Sequence, residues 1–373
     1  MHRFFCANFT LMLKDSTGNL ILKGTLIGLL ANLFLSYKIW IGNEFVPRFP
    51  VSDVFAIPDA LSTLLLILIG AGSIFTLYKI DKRVVIGIAG LLAFAMLTDW
   101  NKAQPYFVHY LLFVVLWLFS VKDKIAPYVL AISGIYLWSG IHKINPFYFE
   151  DVIYNLSYAV DDGLYKDLLI ESSKAIPYVE VILAILLLIP RLFKIASIIS
   201  IALHAGIIVF LIQIGYNYAV WPWNLVFILF HVITLLKKSK LTYEINISNA
   251  VATALFIVFP IVNVYTHNFA YQSWNLYSGR IPYGVAYVLP ENAPYLPDGI
   301  REELIDERPY MKLDLTPFSV NMTGVAINPD PWIYDQWYQH LCDQYGSSNF
   351  IFGTHLYGFE ELESEYKGCQ ELE

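Results

Sequence analysis

Long apolar runs dominate the first 267 residues, and polar residues are confined to the joints between them and to a few positions inside. The runs lie near 21–41, 60–79, 83–99, 105–121, 126–143, 176–190, 194–214, 222–237 and 247–267. About 20 apolar residues in a helix cross the hydrocarbon of a bilayer comfortably. Several runs are shorter, so adjacent short ones are expected to tilt or turn back, and the count of nine holds to about one. The pattern predicts an all-α polytopic membrane bundle of about nine transmembrane helices.

Three stretches break the pattern. Residues 1–20 read as an N-terminal cytoplasmic segment. Residues 4–13 are apolar but short, and Lys14 and Asp15 follow without a small-residue cleavage site, so the segment is expected to be retained and to lie along the membrane surface. Residues 144–175 read as a long outer loop with one or two surface helices and a turn at Asp161-Asp162-Gly163. Residues 268–373 form an acidic extracytoplasmic tail, with 16 Asp or Glu against 5 Lys or Arg. To about residue 328 this tail is rich in Pro, Gly, Tyr and Val, the mark of strands and turns. Segment 330–345 reads as a helix with Asp330 as N-cap before Pro331. A small α+β domain is predicted there, ending in a solvated acidic stretch, Glu360 to Glu373. The domain division is thus 1–20, 21–267 (the helical membrane domain) and 268–373.

Composition agrees. The chain is 57% hydrophobic and 15% charged, with mean hydropathy +0.54, against roughly a quarter charged residues in soluble domains. Abundant Tyr and Trp suit interfacial belts. There is no basic surface for nucleic acid and no Gly-rich nucleotide or zinc-protease motif. The three cysteines have no metal-ligand spacing, and no metal is assigned. Cys342 and Cys369 share the tail, in a disulfide-permissive compartment; a bridge and two free thiols both fit.

Orientation follows from Lys and Arg. With the N-terminus inside, the inner segments hold Arg3, Lys14, Lys23, Lys79, Lys82, Arg83, Lys122, Lys124, Arg191, Lys194, Lys237, Lys238 and Lys240, thirteen in all. The outer side holds Lys38, Arg48, Lys102, Lys143, Lys166 and Lys174, six in all. The bias predicts a cell (inner) membrane protein with the N-terminus cytoplasmic and the tail outside.

The polar motif residues then gather at the outer face. Ionisable groups inside a span cost about 2.5–3.5 kcal/mol each on insertion scales, and they persist where they pair, line a cavity or do chemistry. The fifth helix ends Tyr136-Leu137-Trp138-Ser139-Gly140-Ile141-His142-Lys143-Ile144-Asn145-Pro146, with Tyr136, Ser139 and Lys143 on one face. Taken singly, Lys143 reads as a snorkelling lysine at a helix end. Glu180 follows Pro177 at the expected outer start of helix six and wants a cationic partner, for which Lys143 and His142 are candidates. Asp99, Asn101 and Gln104 join helices three and four, and Trp223 and Asn224 open helix eight; these residues, with Ser139, Asn145 and His231, are the candidate substrate-binding set. His109 lies on helix four, and His204 and His231 sit deep in helices seven and eight. The latter two are of the type that ligates haem, but spacing does not make two helices face each other, and each alone reads as a core histidine; haem is not assigned.

The run from Ser139 to Ile144, followed by Glu180 and then by intramembrane His204, resembles the membrane domain of vitamin K-dependent gamma-carboxylase. It is similar also to the wider bacterial group that shares this domain, called HTTM, and more loosely to DoxX-like membrane proteins. The likeness covers about residues 20–240 and rests on three or four short motifs in order. It implies that Lys143 is the general base that deprotonates a quinol, that His204 and Glu180 fill family positions, and that the site opens outward. A quinone is the cofactor or substrate class it implies. Near Trp100-Asn101 the family has a histidine where this chain reads Lys102-Ala103-Gln104. The large lumenal region of the carboxylase is reduced here to the tail, so peptide glutamate carboxylation does not carry over.

Three functions follow as expectations. One is an enzyme acting on a quinone-like or other lipophilic substrate, with Lys143, His142, Glu180 and His204 as its catalytic set. Another is a non-catalytic DoxX-like subunit that binds a lipid, a quinone or a partner protein through its outer face. A transporter ranks last, because no inverted repeat or matched pair of interrupted helices is visible.

Overall fold

The computed structural model describes residues 15–120, 124–157, 164–215, 217–346, 349–357 and 362–371. The N-terminal apolar stretch, Lys122, the turn at 161–163 and part of the acidic end lie outside the described residues. Among those described, the apolar runs fall on α1 (Thr17–Leu35), α2 (Asp59–Tyr78), α3 (Lys82–Thr98), α4 (Pro105–Phe119), α5 (Ala126–Lys143), α6 (Leu164–Leu188), α7 (Phe193–Ile214), α8 (Val220–Leu236) and α9 (Ile247–Thr266). Four of these, α1, α2, α7 and α9, are long and apolar enough to cross a membrane; α4 and α8 are shorter apolar helices.

The starts are written in the sequence. Ser16 accepts from the Asn19 amide to cap α1, Asp81 from the Arg83 amide to cap α3, and Asn246 from the Asn249 amide to cap α9. Pro105 occupies the first turn of α4, where its missing N–H costs nothing.

Helix α6 departs from expectation. It begins at Leu164, well before the apolar run, and carries Pro177 in its interior. A proline inside a helix removes the hydrogen bond to the carbonyl four residues back. That carbonyl belongs to Ser173, and the Tyr148 hydroxyl donates to it at 3.0 Å. Among the described residues, the expected outer loop holds a π-turn, Tyr148–Val152, and a short helix, Ile153–Ser157, before α6.

Glycine sets two close contacts of α5. A Cβ on Gly140 would stand 2.6 Å from the Pro177 carbonyl oxygen of α6, and one on Gly134 would collide with the Phe256 carbonyl oxygen of α9. Phe256 lies in the π-helical middle of α9, Ala254–Val258, and Trp138 of α5 donates to the neighbouring Ile257 carbonyl at 2.8 Å. In the core of the bundle, buried Asn32 of α1 donates to the Ala219 carbonyl and accepts from the Tyr110 hydroxyl, tying α1 to α4 and to the start of α8.

The C-terminal unit is an antiparallel sheet with helices on one face. Its strands are β1 (Tyr283–Val288), β2 (Ile305–Glu307), β3 (Tyr310–Asp314), β4 (Phe350–Tyr357) and β5 (Leu362–Gly368), in the order β2-β3-β1-β4-β5. Helices α10 (Leu315–Thr323) and α11 (Pro331–Tyr345) complete it. In the register Ala286 pairs with Leu313 and Phe352, and these three pack with Trp337, Tyr338 and Leu341 of α11. Val46 and Phe49, from the connection between α1 and α2, belong to the same core. A disulfide joins Cys342 to Cys369.

One expectation for the tail is extended and one needs correction. Residues 362–368 are largely exposed, as a solvated end would be, but they also form edge strand β5: their charges suit an edge, where they discourage further strand pairing. Asp330 stands at the N-cap position of α11, but its carboxylate does not cap the helix. It accepts instead from Trp100 Nε1 and from the Phe269 amide, each at 2.6 Å.

Candidate functional site

A cavity of about 580 Å³ lies between α5, α6, α7 and α8, beneath the segment that follows α9. Most of its wall is apolar, including Ile135, Val179, Leu203, Ile207, Phe210 and Phe227. Two polar groups interrupt that wall, and both start from the one face of α5 that carries Tyr136, Ser139 and Lys143.

The first group is an ion pair. Lys143 Nζ lies 2.9 Å from Glu180 Oε2, and both side chains are about nine-tenths buried. The ammonium also meets the Ser139 hydroxyl and the Ser139 carbonyl, and the Ser139 hydroxyl donates to Glu180 Oε1 at 3.2 Å. The three ammonium protons thus each have an acceptor. The contact exists because Gly140 lets α5 and α6 approach just here.

The second group is a chain of hydrogen bonds whose direction can be deduced. The Val220 carbonyl only accepts, so the Asn224 group 2.9 Å from it is the amide nitrogen. Asn224 Oδ1 therefore faces His204 Nδ1 at 2.6 Å, and Nδ1 must carry the proton. His204 Nε2 is left as an acceptor, and it receives the Tyr136 hydroxyl proton at 2.6 Å. The Tyr136 oxygen in turn accepts from the Ser200 hydroxyl. Phe227 stacks on His204 at 4.4 Å between centroids and holds the ring flat against α8.

Of the candidate residues, Ser139, Lys143, Glu180, His204, Trp223 and Asn224 line this cavity. The others do not. His142 is on the other face of α5, against Trp138, because it lies one position from Lys143 and so about 100° round the helix. Asn145 shapes the turn after α5, donating to the His142 and Ser278 carbonyls and accepting from the Tyr148 amide. His231 is deep in the core with Ser197.

Asp99, Asn101 and Gln104 form a clasp rather than a site. Asp99 accepts from the Asn101 amide, Asn101 Oδ1 from the Asn328 amide at 2.9 Å, and Gln104 donates to the Ala326 carbonyl at 2.9 Å. Gln272 adds a bond to the Ala103 carbonyl. Together with Trp100 and Asp330 they fasten the C-terminal unit to the turn between α3 and α4. Beside them the Lys102 ammonium is fully buried, 2.9 Å from Ser62 Oγ and over the Trp40 ring.

Four residues at the site are not marked by the sequence. Tyr136 was placed on the right face but not in the site, and Ser200 was not considered, although it stands four residues before His204 on the same face of α7. Trp274 and Tyr277 reach the cavity from the segment after α9, and no local pattern marks them. Among the described residues no group of three or more His, Cys, Asp or Glu is arranged to hold a metal ion.

Comparison of the chain with family models, with curated proteins and with solved structures found no match.

Proposed function

We propose that this is a multi-pass cell-membrane enzyme of the HTTM and gamma-carboxylase-like kind, with nine spans, a cytoplasmic N-terminus and an extracytoplasmic C-terminal unit. Its cavity takes an uncharged lipophilic molecule with an oxygen-bearing head, of the quinone class, and exchanges a proton with it. The observation that carries this reading is the convergence of Ser139, Lys143, Glu180, His204 and Asn224 on one apolar cavity.

The charge balance favours an uncharged head. Among the described residues of the wall, the one lysine is matched by the one glutamate at 2.9 Å, and no unpaired cation remains to draw in a phosphate or carboxylate. The apolar wall suits a hydrocarbon tail. Lys143 acts as a base only after one of its protons has passed to Glu180, so the two residues work as one unit. A ligand that fills the cavity and displaces water strengthens every electrostatic contact inside it.

The test is mass spectrometry of lipids extracted from the purified protein, followed by quinol-dependent oxygen uptake by wild type and Lys143→Ala. A co-purifying quinone, with uptake lost in the variant, is the expected result. No uptake with any quinol overturns the enzymatic reading.

One observation favours a second reading, a non-catalytic subunit that binds a lipid or quinone: the Lys143 ammonium has no proton without an acceptor. In that case the ligand co-purifies, no quinol supports turnover, and Lys143→Ala leaves complementation intact.

A further inference from the structure

We propose that Tyr136, His204, Asn224 and Ser200 form a second proton-exchange unit at the inner end of the cavity, in which Tyr136 meets the ligand oxygen and Asn224 is the positioning residue that fixes the His204 tautomer. The inference rests on the reading that the cavity binds a lipophilic molecule with an oxygen-bearing head, and it adds residues that the Lys143–Glu180 pair does not involve.

The argument is geometric. Three members, Tyr136, His204 and Asn224, line the cavity, and Ser200 stands behind them. Each hydrogen bond has one possible direction, set at the far end by the Val220 carbonyl. The outcome is a phenol whose proton already points at a basic imidazole nitrogen. A buried tyrosine held only for packing needs one partner for its hydroxyl. Tyr136 has two, one taking its proton and one giving a proton to its oxygen, which leaves the second lone pair of that oxygen for a ligand hydroxyl.

The step balances without a further reactant. The ligand O–H bond breaks and its proton moves to the Tyr136 oxygen. The original Tyr136 proton moves to His204 Nε2. The products are a ligand oxyanion and an imidazolium, whose Nδ1–H stays on Asn224 Oδ1; the reverse sequence returns the proton. Tyr136 precedes Lys143 by two helical turns on the same face of α5, roughly 10 Å at 1.5 Å per residue. A ring with oxygens on opposite sides, lying along α5, would meet one unit with each.

Two measurements test this in the full-length protein in nanodiscs. The first needs no ligand: nitrogen-15 NMR of histidine-labelled protein, with His204 assigned by comparison with His204→Gln. The expected signature is a neutral ring protonated at Nδ1, and Asn224→Leu abolishes that preference. An Nε2-protonated ring in the wild type overturns the proposal and leaves the cavity reading untouched. The second uses decyl-substituted 4-nitrophenol, whose phenolate absorbs separately from its phenol. Bound to wild type it is expected to show phenolate, and Tyr136→Phe is expected to bind it with the phenolate band lost. If the band survives in Tyr136→Phe but vanishes in Lys143→Met, the ion pair alone exchanges the proton and the proposal fails. If wild type does not bind the probe, the cavity reading falls and this unit with it.

Discussion

Lys143 and Glu180 meet at 2.9 Å across the one place where a glycine lets α5 and α6 touch. Each is the other's compensation in a wall that is mostly apolar. Removing one partner of a buried pair leaves a stranded charge, at a cost of about 3–5 kcal/mol, whereas replacing both with apolar residues of similar volume is often neutral or better. Lys143→Met and Glu180→Leu are each expected to lower the unfolding midpoint in detergent sharply, and the double variant to regain most of the loss. Two single losses that simply add would show that the residues do not pair in the membrane.

Gly140→Ala puts a methyl group 2.6 Å from a backbone oxygen that cannot swing aside. Overpacking of this kind costs typically about 1–3 kcal/mol. Gly90→Ala in α3 is the control: nothing lies within 4 Å of its new Cβ, and alanine is favoured over glycine in a helix by about 1 kcal/mol. Thermal unfolding of the two variants should move in opposite directions.

The Cys342–Cys369 bridge ties the end of α11 to the end of β5 across 27 residues. Breaking such a bridge typically removes about 2–4 kcal/mol. Cys342→Ser is expected to loosen the C-terminal unit first, seen as faster amide exchange along β4 and β5 while the helices stay protected. Uniform exchange in both proteins would argue against it.

Asp330 supplies a pH dependence. Burial holds its carboxyl above the ordinary 3.8, opposed by hydrogen bonds from Trp100, Phe269 and Ala270. The folded state keeps this proton to a higher pH than the unfolded chain does. Stability is therefore expected to fall as pH rises from about 3.8 through the folded pKa, with the full penalty of the buried charge present above it. Asp330→Asn should flatten the difference in unfolding midpoint across that window. An unchanged slope would remove Asp330 as its source.

Much of this was legible from the chain. The apolar runs lie on helices because a long apolar run has few other ways to satisfy its backbone in lipid. Lys143, Glu180 and Asn224 were expected to share a cavity, and they line one. Helix α6 hid its first three turns because they are amphipathic, and Pro177 reads as a start unless Tyr148 is known to satisfy the Ser173 carbonyl. Asp99, Asn101 and Gln104 carry the residue types of a binding site, yet Asn101 and Gln104, like Trp100 between them, bond to partners more than 220 positions away in the chain, and Asp99 accepts from the Phe49 amide, 50 positions before it. No local spacing distinguishes a clasp of that kind from a site. β5 was missed because none of its residues is buried, so no apolar face marks it as a strand until β4 is beside it.

Val46 and Phe49 close the hydrophobic interior of the C-terminal unit from outside its own stretch of sequence. The boundary a gene engineer would draw at residue 268 therefore cuts through a shared interior. A secreted version of the tail alone would present an open greasy socket to water and would be expected to aggregate. Tethering a copy of residues 43–52 to it in trans is the rational repair. The same sharing means that any tilt of the first two helices is passed directly to the C-terminal unit, which makes that unit a natural place for a spectroscopic reporter of motion in the bundle.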